Sequence, residues 1–174
     1  TGQAWRVTPL LSIWWNFWRK PAASGKELWS RGIAIMKLPF KAACLQFNPV
    51  LAQKQRNIDR LYDLALAAAS GGAKLIVTPE MATTGYHFAD RSAIRDLVEP
   101  IPGPTTDRFG EICRRYGAYI VISLPEVDLL SGLYYISAAV IGPKGVIGKY
   151  RKMHLWEAET RWAAPGNLGM PVFE

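Results

Sequence analysis

The chain has 174 residues, 49% of them hydrophobic and 20% charged, and carries a formal net charge of +7. That is enough apolar chain for one domain with a real core, and it excludes a disordered polar segment. The basic excess contains no Lys/Arg stripe interleaved with aromatics in the body of the chain, which argues against a nucleic-acid binder.

Residues 1–36 set Arg6, Arg19, Lys20, Lys26 and Arg31 against Glu27, and five of the seven tryptophans fall here. The apolar run Val7–Trp18 contains Pro9 and Asn16 and is too short to span a bilayer. Only Arg6 precedes it, whereas a signal peptide needs its charge in front. Residues 1–35 therefore read as a Trp-rich basic tail outside the fold, with an interfacial membrane segment as the alternative. Residues 36–174 read as the domain, opening at Met36.

Phe40–Phe47 is a short apolar run stopped by Asn48-Pro49, the pattern of a buried strand. Gln53–Ser70 sets Ile58, Leu61, Tyr62, Leu64, Ala65 and Ala68 on one helical face and ends at Gly71-Gly72. Leu75–Thr78 is a second buried strand, and Pro79 keeps Thr78 extended. Residues 81–104 are irregular, with one short helix around Arg91–Val98. Thr105 or Thr106 caps a helix to about Tyr116, with Phe109, Ile112 and Cys113 inward and Gly117 at its end. Ala118–Pro125 is a third strand, and Tyr134–Ile141 and Val146–Tyr150 flank the hairpin signal Gly142-Pro143-Lys144-Gly145. The order strand, helix, strand, helix, strand, strand, strand predicts an α/β layered fold with helices packed on a sheet.

Two stretches carry chemistry. In VTPEMATTGY (Val77–Tyr86), Glu80 leaves the C-terminal end of a buried strand behind a rigid proline, where α/β sheets build sites. A water-exposed loop glutamate is the plain alternative. In GKYRKMHLWEAE (Gly148–Glu159), Arg151 and Lys152 emerge at the end of a strand. Seven positions, two helical turns, separate Lys152 from Glu159 and can bring them to one side. The plain alternative is a surface charge cluster.

Taken together, VTPEMATTGY, GKYRKMHL, the opening AACLQFNPV with its long first helix and the closing PGNLGMPVFE resemble the nitrilase superfamily of carbon–nitrogen hydrolases. The resemblance runs from about Lys41 to Glu174 and implies the N-terminal half of a four-layer αββα sandwich, one sheet face left bare. It implies a Glu–Lys–Cys triad, with Glu80 as general base, Lys152 as its lysine and Glu159 as the second glutamate. A carboxylate takes the thiol's proton and passes it to the leaving nitrogen, and a fixed ammonium stabilises the charge that develops on the attacked group. Two carboxylates beside one lysine also keep it charged.

The family's cysteine follows the next strand, beyond Glu174. Cys44, mid-strand, and Cys113, on an inward helix face, read as small core residues, not substitutes. The expectation is a hydrolase of nitrile, amide or N-carbamoyl bonds, inactive as this chain alone. A non-catalytic interaction or scaffold protein on the truncated fold is the alternative. Tyr86 and Trp156 are candidates for a pocket wall, His154 reads as structural, and His87 has no supporting partner. Neither the cysteines nor the histidines have ligand spacing, so no metal or cofactor is expected. The two cysteines fit a reducing, cytoplasmic setting. The resemblance further implies a small-molecule substrate and homo-oligomers when complete, while composition argues against nucleic acid and the short apolar run against a membrane as partner.

Overall fold

The computed structural model describes residues 40–173. The basic tail 1–35 and the opening at Met36 lie outside the described residues. Strands β1 (Lys41–Cys44), β2 (Ala73–Val77), β3 (Tyr119–Val127), β4 (Tyr134–Gly142) and β5 (Gly145–Arg151) form one sheet in sequence order. β1, β2 and β3 are parallel, and β4 and β5 return antiparallel. Helix α1 (Lys54–Ser70) connects β1 to β2. The one-turn α2 (Arg91–Ile94) and then α3 (Pro104–Tyr116) connect β2 to β3. Two successive crossovers of the same hand, moving the same way along the sheet, put α1 and α3 on one face.

The helices form for legible reasons. Gly71 follows α1 and donates to the carbonyl of Ala67. Asp90 caps α2 through the N–H groups of Ser92 and Ala93. α3 begins earlier than its threonines suggest: Gly103 is the N-cap and Pro104 the first helical residue. Thr106 Oγ1 instead reaches back to accept from the Gly103 N–H at 2.8 Å. Gly117 closes α3 in the left-handed region, φ 58°, where a β-carbon would be strained.

Between helices and sheet lies the main core, built on Leu61, Phe109, Ile76, Ile112, Ile120 and Ile122. Each such side chain contributes about 1.5–3 kcal/mol by leaving water. Cys113 is part of it, as its helix position predicts. Buried Asn57 is a polar intrusion, satisfied by bonds to Val50 and to the carbonyl of Thr83. A second cluster, with Met81, Phe88, Ile94, Tyr134, Ile136 and Trp162, covers part of the opposite sheet face.

Toward β1 that opposite face is open. Register places Ala42 with Leu75 and Cys44 with Val77, and Val77 with Val121. Ala42 and Cys44 are exposed, and Leu75, Val77 and Val121 half-buried. The first strand is therefore not the buried strand its composition predicts, and Cys44 is not a core residue. Among the described residues β1 is a sheet edge, and nothing packs over that side of it.

The sheet's far end holds a buried charge cluster. Glu126 on β3 is fully buried. It accepts from Arg151 Nε at 3.0 Å and Nη2 at 2.5 Å, from Ser137 Oγ at 2.5 Å and from Lys149 Nζ. Arg151 also bonds Asp128 and Asn167 at 2.9 Å each and lies over the Tyr135 ring. Burial pushes Glu126 toward its neutral form, but these donors outweigh it and hold its carboxyl below the usual range. Among the described residues no helix is long and apolar enough to cross a membrane.

Removing one partner of a buried ion pair strands the other. Glu126→Gln is therefore expected to destabilise the chain by about 3 kcal/mol or more in urea unfolding, with Arg151 left to Asp128 alone and Lys149 without its carboxylate.

Candidate active site

β2 and β5 point the same way, because β5 is antiparallel to β4 and β4 to β3, while β2 is parallel to β3. The residues that follow β2 and β5 therefore emerge at the same edge of the sheet. Glu80 follows β2 and Lys152 follows β5. Side chains alternate along a strand, so Lys152 shares a face with Tyr150 and Gly148, opposite Arg151 and Lys149. That is the face of Val77, Val121 and Ala138, away from the helices.

Backbone bonds fix each group. The Lys152 N–H donates to the carbonyl of Ile136 and its own carbonyl accepts from Gly166, both at 2.8 Å. Gly166 is required there, since a β-carbon would lie 2.0 Å from the Arg151 carbonyl oxygen. Ahead of Glu80, the Thr78 N–H donates to Val121, so Thr78 still belongs to the ladder as the following proline predicts. Glu159 sits in the short 3₁₀ turn Glu157–Arg161 and is buried.

The side chains meet in a row. Lys152 Nζ lies 3.0 Å from Glu80 Oε1 and 2.8 Å from Glu159 Oε1. The other oxygen of Glu159 accepts the Trp156 N–H at 2.7 Å, so this carboxylate holds the lysine and caps its own turn. Tyr86 donates its hydroxyl toward Glu80 Oε2 at 3.4 Å. Partial burial opposes the Lys152 charge and is the largest single influence, but the bonds to Glu159 and Glu80 together hold its pKa above the ordinary 10.5. Burial, and then the Glu80 charge, push the Tyr86 hydroxyl above its usual 10.0, so it remains a donor. A cleft of about 290 Å³ opens beside the row, walled by Val77, Val121, Ile136, Ala138 and Tyr150.

Sequence reasoning brought together Glu80, Lys152 and Glu159, and so does the fold. The route differs for one pair. No helix joins Lys152 to Glu159; the chain leaves β5, crosses Met153–Trp156 and turns once before Glu159. His87 and His154 are exposed, as is Trp156, which contributes a backbone N–H. Cys113 lies on the helix side, its thiol pushed up to about 11 by burial. Neither cysteine bonds to Glu80 or Lys152 among the described residues. Sequence reasoning missed Thr78 and Ser123, whose hydroxyls tie the Glu80 turn to β3. The available signal was a small polar residue inside the apolar strand YIVISLPEV.

Residues 41–174 match the family model described as carbon-nitrogen hydrolase. The chain belongs to the carbon–nitrogen hydrolase family. It is 39% identical over 135 residues to a nitrilase of Pyrococcus abyssi (strain GE5 / Orsay), covering 77% of this chain and 51% of that one. It is 34% identical over 140 residues to a formamidase of Bacillus cereus (strain Q1), covering 76% and 42%. Among solved structures, an N-terminal amidase with a Gln-Val peptide matches with a TM-score of 0.66 at 30% identity, covering 74% of this chain and 31% of that one. The chain thus spans about half or less of the length of these curated relatives.

A lysine whose folded pKa is raised stabilises the fold below its unfolded value and loses that contribution as pH rises through the folded value. Here the window lies above about 10.5. Glu159→Gln is expected to shift this alkaline loss to lower pH in thermal melts, and an unchanged alkaline limb would show that the pair does not bias Lys152.

Proposed function

We propose that this chain supplies the Glu–Lys part of a carbon–nitrogen hydrolase site acting on an amide, nitrile or N-carbamoyl bond. The observation that carries the reading is Lys152 held between Glu80 and Glu159 at the lip of an apolar cleft. In this reading Glu80 takes the proton of a cysteine thiol as sulfur attacks the substrate carbon. Lys152 donates to the oxygen or nitrogen on which negative charge collects. Glu80 returns the proton to the leaving nitrogen, which departs as ammonia or an amine when the substrate is an amide. Water then cleaves the thioester, with Glu159 keeping Lys152 in place. The thiol is not among the groups that touch the row in the described residues. It is proposed to come from outside them, in a reducing, cytoplasmic setting and, as in relatives named formamidase and N-terminal amidase, for small amides or the end of a peptide.

The second reading is a non-catalytic interaction or scaffold protein on the same half-fold, and the open sheet face at Ala42 and Cys44 favours it. The two separate on the encoding sequence after Glu174: a strand followed by a cysteine supports the hydrolase, and a stop codon with a stable folded monomer supports the scaffold. The 174-residue chain alone is expected to release no ammonia from amides or nitriles. Release that Glu80→Gln abolished would overturn that expectation. In a chain continuing into the cysteine, Glu80→Gln and Lys152→Ala are each expected to lower kcat/KM by about 100-fold or more with the fold intact. Near-normal rates in either variant would remove that residue from the mechanism.

A further inference from the structure

We propose that Ser123 is a positioning residue for Glu80: its hydroxyl fixes the turn that aims the carboxylate at Lys152. The proposal rests on the reading of Glu80 as the base of the site.

The turn after β2 needs an external anchor. Its backbone passes through Met81 in the left-handed region, φ 48°, a conformation that residues with a β-carbon rarely adopt. Met81 is fully buried, so its N–H cannot turn to water. That N–H donates to Ser123 Oγ at 2.9 Å, a bond from the residue directly after Glu80 to the middle of β3. The Ser123 N–H in turn donates to Thr78 Oγ1 at 3.1 Å, two residues before Glu80. One residue of β3 thus holds the chain on both sides of the Glu80 backbone. On the far side of the turn, the Met81 carbonyl accepts from Thr84 and Gly85 at 3.1 and 2.8 Å.

The choice of residue at 123 is otherwise unexplained. Its strand neighbours on the same face include Val121, and its cross-strand partner is Ala138. An apolar side chain would suit both. Only a hydroxyl, small enough for the cleft wall and able to accept, meets the Met81 N–H there. Without it, this buried donor has no partner and the left-handed turn loses its anchor. Glu80 would then swing off Lys152, leaving that lysine with Glu159 alone.

The test is NMR on the 174-residue chain, following exchange of the Met81 amide and titration of the Lys152 side chain. In Ser123→Ala, Met81 exchange is expected to accelerate. Lys152 is expected to titrate at lower pH, part of the way to its value in Glu80→Gln. Ser123→Thr, which keeps the hydroxyl, is expected to restore both. A Lys152 titration unchanged by Ser123→Ala, in a chain where Glu80→Gln does move it, overturns the proposal and leaves the hydrolase reading standing. A Lys152 that Glu80→Gln does not move overturns the site arrangement, and this proposal with it. A merely structural Ser123 would lower the melting temperature without moving the lysine.

Discussion

The position of Lys152 depends on a charge that faces the other way. Arg151, one residue earlier, buries its guanidinium against Glu126 on β3 and Asp128 just after it, and reaches Asn167 beyond the site. Desolvating these groups is costly, and an ion pair repays it only when nearly every donor and acceptor is matched. Here both Glu126 oxygens are used, and Arg151 is stacked on Tyr135 as well. The pairing tolerates no slip of β5 along β4. A one-residue slip would turn Arg151 out and Lys152 in. The buried cluster therefore acts as a register pin, and alternation along the strand converts that pin into the placement of Lys152 on the cleft face.

At the row itself, the energetics are those of a half-dry site. Lys152 and Glu159 are largely withdrawn from water while Glu80 keeps more exposure, with side-chain exposures of 23%, 6% and 41%. Glu159 is thus the fixed anchor, locked by its own capping bond, and in the proposed reading Glu80 is the member that exchanges a proton with a group in the cleft. This asymmetry is what a division of labour between two carboxylates needs. Their environments differ even though their chemistry is the same.

Much of this was legible in the sequence because it rests on local signals. Apolar runs, the glycines after α1 and α3 and the Gly-Pro-Lys-Gly hairpin locate most of the elements to within a few residues, and the two motifs single out Glu80, Lys152 and Glu159. What was hidden depends on contacts between distant segments. Glu126 reads as an ordinary charge near a strand end, and only the pairing of β3, β4 and β5 shows it buried against Arg151. Ser123 reads as a strand residue until the Met81 turn is laid beside it. Cys44 reads as core because a short apolar run does not say which face, if either, will be covered. The Lys152–Glu159 pair was found through a helical spacing the chain does not use, since two ends of any short excursion can return to the same place.

The site lies where the covered part of the sheet's second face meets the open part. Met81, Tyr134, Ile136 and Trp162 close one end with loops, while Cys44, Val77 and Val121 lead away toward β1 with less cover. The Phe173 ring already lies over β5 on this face, against Gly148, where a β-carbon would come within 2.1 Å of it. Gly148 is four residues before Lys152 and on the same side of the strand. The chain at residue 173 thus runs across the floor from which the lysine rises. A group arriving over that floor would meet Glu80, the more exposed of the pair, with Lys152 behind it. For the proposed chemistry that order is the useful one, because the base stays accessible while the ammonium is held by Glu159 from behind.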